Sequence, residues 1–163
     1  MRVFRVIVDS SCLIGLARVE QFELLGKLFL EINIPEAVYY EVVVKGKDES
    51  GSNETENGIK EGWIKKKPVA DRTAVQALSS ILGNGESEVI VLYNELNADY
   101  ALIDEKMARK MAGLMNVNVM GVIGIMDLAI EMGVEVDKKK VVDKLMKSGF
   151  RISSNLYKRM FPG

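Results

Sequence analysis

The sequence predicts an α/β fold, a three-layer sandwich in which a parallel sheet lies between two layers of helices. Short β-branched apolar runs alternate with segments of helical spacing along the whole chain, the pattern that builds a sheet by crossover connections. The opening run, Val3-Phe4-Arg5-Val6-Ile7-Val8, is largely β-branched and ends abruptly in Asp9-Ser10-Ser11. It reads as a central strand covered on both faces. Asp9 then stands at a carboxyl end, where open α/β sheets gather their ligands. A simpler role for Asp9 or Ser10 is to cap the following helix.

Composition narrows the chemistry. A chain of 163 residues, 48% hydrophobic and 28% charged, has material for one domain with a full core and no room for a second catalytic one. No stretch approaches the roughly 20 apolar residues of a membrane span, and the start lacks the pattern of a signal peptide. The expected location is cytoplasmic. The single Cys12 has no intramolecular partner and sits among apolar neighbours, as a buried helix residue does. With no histidine in the chain, Ser-His-Asp and Cys-His hydrolysis, His-containing zinc sites and imidazole acid-base chemistry are excluded together. Carboxylates, lysines, hydroxyls and a hard metal ion held by oxygen remain. A net charge of −1 gives no global basic footprint for nucleic acid, so any such binding must be local.

After the first strand, residues 10–19 carry Leu13, Ile14, Leu16 and Ala17 at helical spacing, and 21–30 continue with Phe22, Leu24, Leu25 and Leu28. Both predict helices packed on the sheet. Residues 31–34 predict a short strand, and Pro35 opens a helix over 35–44. There Val38, Glu41 and Val42 share a face, so Glu41 projects from an apolar surface, where a charge needs a partner or a cation unless it snorkels to solvent. Residues 45–58, KGKDESGSNETENG, have no periodicity and predict a surface loop. A helical turn over 59–62 and an extended 63–69 follow. Lys65-Lys66-Lys67 suits an edge strand, where charge discourages aggregation, or a phosphate contact. Helical spacing resumes over 71–82.

Gly83-Asn84-Gly85 turns the chain into a helix capped by Asn84 and running to Leu96. On its wheel Glu86 shares a side with Val89, Ile90 and Tyr93, whereas Glu88 points away, so Glu86 is the acid aimed inward. The helix dipole alone also favours acids in this first turn. Residues 100–103 form another short apolar strand ending in a carboxylate, Asp104-Glu105. A helix over 106–114, a strand over 117–120, an apolar helix over 121–132 and amphipathic helices over 137–147 and 153–160 complete the chain.

Four acids, Asp9, Glu41, Glu86 and Asp104, thus stand on separate elements facing inward or into a crevice. Brought together without a cation they would repel by several kcal/mol, so they are apart or share a metal. An all-oxygen cluster suits Mg²⁺ or Mn²⁺ and phosphoryl chemistry.

The segments Ile7-Val8-Asp9-Ser10-Ser11, Val38-Tyr39-Tyr40-Glu41-Val42, Gly85-Glu86-Ser87-Glu88-Val89-Ile90, Leu102-Ile103-Asp104-Glu105 and Gly121-Val122-Ile123-Gly124, in this order, resemble the PIN-domain nucleases. The likeness is to their prokaryotic branch, which includes toxin nucleases of the VapC kind, and it covers nearly the whole chain, 1–163. The resemblance implies about five parallel strands between helices, a homodimer, and acids that hold Mg²⁺ or Mn²⁺ for cleavage of RNA. It implies Asp9, Glu86 and Asp104 as metal ligands, with Glu41 as the helix glutamate that positions the attacking water and Ser10 as a supporting hydroxyl. Glu86 stands where the family more often has aspartate. Asp104-Glu105 replaces the usual strand-end pattern of hydroxyl, basic residue and acid, so Glu105 is an alternative ligand. An antitoxin protein would enter the acidic groove with a basic side chain.

The expected function is therefore metal-dependent hydrolysis of RNA phosphodiesters; the toxin role in a toxin–antitoxin pair is what the resemblance alone would add. The alternative is a catalytically weak PIN-like module that binds RNA or protein. A flavodoxin-like receiver would need paired early acids, a mid-chain phosphorylated Asp and a later Lys, which form no clear set here. A haloacid-dehalogenase phosphatase would need an Asp where Ser11 stands.

Overall fold

The computed structural model describes residues 1–163. Five strands, β1 (Val3–Val8), β2 (Phe29–Pro35), β3 (Ile64–Lys67), β4 (Tyr100–Leu102) and β5 (Val119–Met120), form one sheet in the order β3-β2-β1-β4-β5. Every neighbouring pair is parallel. The opening apolar run is the middle strand, and its Val6, Ile7 and Val8 are fully buried. The helices are α1 (Ser10–Arg18), α2 (Leu24–Leu28), α3 (Glu36–Tyr39), α4 (Ser52–Glu61), α5 (Arg72–Leu78), α6 (Asn84–Glu95), α7 (Lys106–Leu114), α8 (Val122–Glu131), α9 (Lys138–Lys147) and α10 (Ser154–Met160), with a π-helical turn over Tyr40–Lys45. In one layer α6 lies on β1 and β2 beside α3 and α5; in the other α1 packs with α4, α8 and α9.

This strand order determines where a ligand can bind. The chain winds outward from β1 through β2 to β3, then jumps across to β4 and winds outward the other way to β5. The two directions part between β1 and β4, and crossovers leave a crevice at the carboxyl ends of strands that diverge in this way. In register, Val8 faces Leu102. Asp9 and Asp104, which follow those strands, are thereby brought to the same crevice mouth.

Several boundaries differ from the sequence reading for tertiary reasons. The helix expected over 21–30 stops at Leu28 because Phe29 turns extended to pair with Val3, and sheet pairing overrides local helical spacing. The helix expected over 35–44 is α-helical only to Tyr39 and widens into the π-helical turn from Tyr40.

The surface loop expected over 45–58 is corrected in its second half. Ser52–Glu61 is a helix, with Ser52, Thr55 and Gly58 buried at helical spacing. Its buried face is made of small residues, and a Cβ on Gly58 would press on Ile64 and the Trp63 ring. Close approach rather than apolar bulk seats this helix, so hydrophobic periodicity does not reveal it. The three-lysine run does form an edge strand. Lys65 pairs with Glu31 at 3.7 Å and Lys66 sits 4.3 Å over the Tyr39 ring.

Thr55 Oγ1 is buried without a hydrogen-bond partner, which costs free energy that a methyl group of the same shape would not. Thr55→Val is expected to raise the unfolding free energy by about 1 kcal/mol, read as a higher urea midpoint at unchanged slope.

Candidate active site

The site begins where β1 runs into α1. Asp9 occupies the N-cap position with extended backbone, yet its carboxylate makes no capping hydrogen bond. It is 3% exposed. Ser11 Oγ donates to Asp9 Oδ2 at 2.8 Å and accepts from the Asp104 backbone N–H at 3.0 Å. One hydroxyl therefore ties the ends of β1 and β4 together and orients the first acid. The Asp9 amide closes the same junction by donating to the Leu102 carbonyl at 2.9 Å.

Glu41 comes from the π-helical turn, whose wider winding is frequent at functional sites because it re-aims side chains. Its Oε2 accepts from Ser10 Oγ at 2.9 Å. The carboxylate rests against Gly85 in the first turn of α6, where a Cβ would overlap it. Glu86 projects from the same turn and is half-buried. Asp9, Glu105 and Glu41 are the charges that act on it most strongly, and Glu105 lies within hydrogen-bonding reach.

The strand-end pair divides its duties. Asp104 Oδ2 accepts from the Val122 amide at 2.9 Å and from Cys12 Sγ at 3.3 Å, while Oδ1 lies over Gly121, where a Cβ would collide with it. Asp104 thus links α1, β4 and the start of α8. Glu105 is exposed; its Oε2 caps α7 by accepting from the Ala108 amide at 2.6 Å.

All four expected acids and both supporting residues, Ser10 and Glu105, therefore lie around one crevice mouth. No three carboxylates surround a single point closely enough to hold an ion without side-chain movement.

Glu88, which its wheel position directs away from the side of Glu86, does not reach solvent. It is buried, accepting from the Ala37 amide at 3.0 Å and from Arg72 at 2.7 Å. Helix α6 is buried from Ser87 to Tyr93 all round, because α3 and α5 cover the side that a one-faced wheel assigns to water. Glu88 fixes the start of α3, and hence the turn that delivers Glu41. The signal was a second acid in a helix with too few polar residues to have a solvent face.

A family model described as PIN domain (DUF3368) matches residues 5–162. The chain belongs to the PIN-domain family. No curated protein matches it. A solved structure, a PilT N-terminus domain protein from the hyperthermophilic archaeon Sulfolobus solfataricus P2, shares the fold at a TM-score of 0.51 and 19% identity, covering 77% of this chain and 91% of that one. PIN domains have a nuclease-type fold, typically use divalent metals and act on nucleic acids. No helix is long and apolar enough to cross a membrane.

The electrostatics of this PIN domain follow from burying acids at one mouth and, second, from crowding them there. The Asp9 carboxyl is pushed up to about 6, chiefly by burial, with the Glu41 charge adding and the Ser11 hydrogen bond opposing. Glu86 is pushed up to about 7 by burial first and then by Asp9, Glu105 and Glu41. Burial also raises Asp104, against the Val122 amide, the Cys12 thiol and the Arg109 charge. The Cys12 thiol is raised well above its ordinary value by complete burial and the Asp104 charge, which makes it inert as a nucleophile.

Folded-state pKa values above the unfolded ones mean that the native state binds more protons between them. Stability then falls as pH rises through that window. The metal-free protein is therefore expected to lose thermal stability between about pH 4 and pH 7, the span from ordinary carboxyl values to the raised ones of Asp9 and Glu86. Asp9→Asn should flatten this dependence in a series of melting temperatures. A second expectation concerns Gly85→Ala: displacing the Glu41 carboxylate should leave the fold within about 1 kcal/mol of wild type while loosening the Ser10–Glu41 hydrogen bond, visible in a crystal structure of the variant.

Proposed function

We propose that the protein is a divalent-metal-dependent ribonuclease that hydrolyses RNA phosphodiester bonds, and that Asp9, Glu86 and Asp104 hold Mg²⁺ or Mn²⁺ while Glu41 positions the attacking water. The observation that carries this reading is the gathering of Asp9, Glu41, Glu86 and the Asp104-Glu105 pair at the switch-point crevice, with Asp9 and Glu86 raised to about 6 and about 7. Carboxylates that burial first, and then their neighbours' charges, push toward protonation are the donor set a hard dication relieves. The fit is also one of chemistry: every available donor is oxygen, and neither imidazole nor an accessible thiolate competes for a softer metal.

When bound, the ion would supply Lewis-acid stabilisation of charge on the phosphate and a lowered pKa for water. The protein's own groups do the rest. Ser11 holds the Asp9 carboxylate and Ser10 holds Glu41. Between the members of the pair, the geometry favours Glu105 as the acid facing Glu86. Each member has one oxygen committed, Asp104 to the Val122 amide and Cys12 and Glu105 to the Ala108 amide.

A second reading, a catalytically weak module that binds RNA or protein through the same groove, is favoured by the acids not yet surrounding one point. The resemblance to toxin nucleases adds that an antitoxin with a basic side chain, set against the four acids, would silence the site, and that the protein works as a homodimer. Co-expression with a candidate antitoxin and the mass in solution test both.

The decisive experiment mixes pure protein with labelled RNA and Mn²⁺. Cleavage is expected, reduced by more than about a hundredfold in Asp9→Asn; RNA bound but uncut with every divalent ion would establish the second reading. Independently of activity, Mn²⁺ should raise the melting temperature more at pH 8 than at pH 5, because protons compete for the same oxygens. Comparing this shift in Asp104→Asn and Glu105→Gln assigns the third ligand.

A further inference from the structure

Beyond the acids, the carboxyl ends of β4 and β5 open into a cavity of about 480 Å³. Asp104 and Gly121 form its inner wall, so it adjoins the proposed catalytic crevice. Lys106 and Arg109 enter from the first half of α7, and Arg151 from the segment between α9 and α10. None of these three cations is in an ion pair, whereas seven other basic side chains of the chain are. Ile123 and the half-buried Phe150 belong to the apolar wall of the same cavity. In a protein of net charge −1, three cations outside any ion pair, against Asp104 as the one acid in the lining, make a local positive field beside a strongly negative one.

We propose that this cavity seats the nucleotide adjoining the cleaved phosphodiester, its phosphate held by Arg109, Arg151 and Lys106 and its base laid against Phe150. The proposal rests on the nuclease reading and extends it to a substrate subsite. Guanidinium groups match phosphate oxygens in fork geometry. An unstacked base of a single strand finds in an aromatic ring the sequence-tolerant platform that single-strand binders use. The volume suits one nucleotide-sized ligand and excludes a duplex. The lysine run of β3 does not compete for this role: it lies on the opposite edge of the sheet, with Lys65 paired and Lys66 over an aromatic ring. An acidic peptide would satisfy the cations and leave the apolar wall unused.

The test is fluorescence anisotropy of a labelled short single-stranded RNA with the full chain in EDTA, so that binding is read without cleavage. Arg109→Gln and Arg151→Gln are each expected to weaken binding about tenfold and to reduce the slope of log Kd against log salt by about one. Phe150→Leu should weaken binding about fivefold with the salt slope unchanged, and Phe150→Tyr should retain it. A nucleoside monophosphate should compete better than inorganic phosphate or a glutamate-rich peptide. Unaltered Kd and salt slope in both arginine variants, or equal competition by the peptide, would overturn the assignment. A chain that binds through these residues and cuts nothing would uphold the subsite while sinking the nuclease reading. RNA cleavage with KM unchanged in both arginine variants would do the reverse.

Discussion

The hydroxyl of Ser11 is the joint on which the site depends. It donates to Asp9 and accepts from the Asp104 amide, so it spans the two strands that diverge at the switch point. A hydrogen bond to a carboxylate contributes about 1.5–3 kcal/mol and one between neutral groups about 1 kcal/mol. Those values are modest beside the cost of leaving a buried carboxylate unsupported. The joint works because β1 pairs in parallel with β4, which sets the carboxyl ends of the two strands, and with them Asp9 and Asp104, side by side.

Around that joint the protein tolerates crowded negative charge by shaping the backbone rather than by adding cations within the cluster. The π-helical turn swings Glu41 inward, Gly85 leaves the space its carboxylate occupies, and Gly121 does the same for Asp104. Buried Glu88 anchors the amide of Ala37 and so holds the base of the segment that carries Glu41. These supports act through position, and Asp9 and Glu86 keep the raised proton affinity that burial and neighbouring charge impose. The cations stay outside, beyond Asp104, where Arg109 reaches the cluster only through its field.

Much of this was legible in the sequence because its strongest signals are local. An apolar run stopped by Asp9, an acid among the valines at Glu41, and an acid closing the Leu102-Ile103 strand each mark a site position before any tertiary contact is known. The class of fold followed from alternation of periods, and the edge position of the lysine strand from its charge. What escaped depended on contacts between distant segments. Helix α4 is seated by Ser52, Thr55 and Gly58, small residues that carry no hydrophobic signature. The burial of Glu88 arises from α3 and α5 closing over α6, which a single helical wheel cannot contain. The division of labour between Asp104 and Glu105 depends on where the Val122 amide points, a property of the turn into α8.

The margins of the sheet carry a consequence for assembly. One outer strand, β3, presents three lysines, and the other, β5, is only two residues long. Neither offers a length of open backbone to which a strand of another molecule could be added. Self-association of this protein would consequently have to leave these sheet margins unextended and proceed through other surfaces.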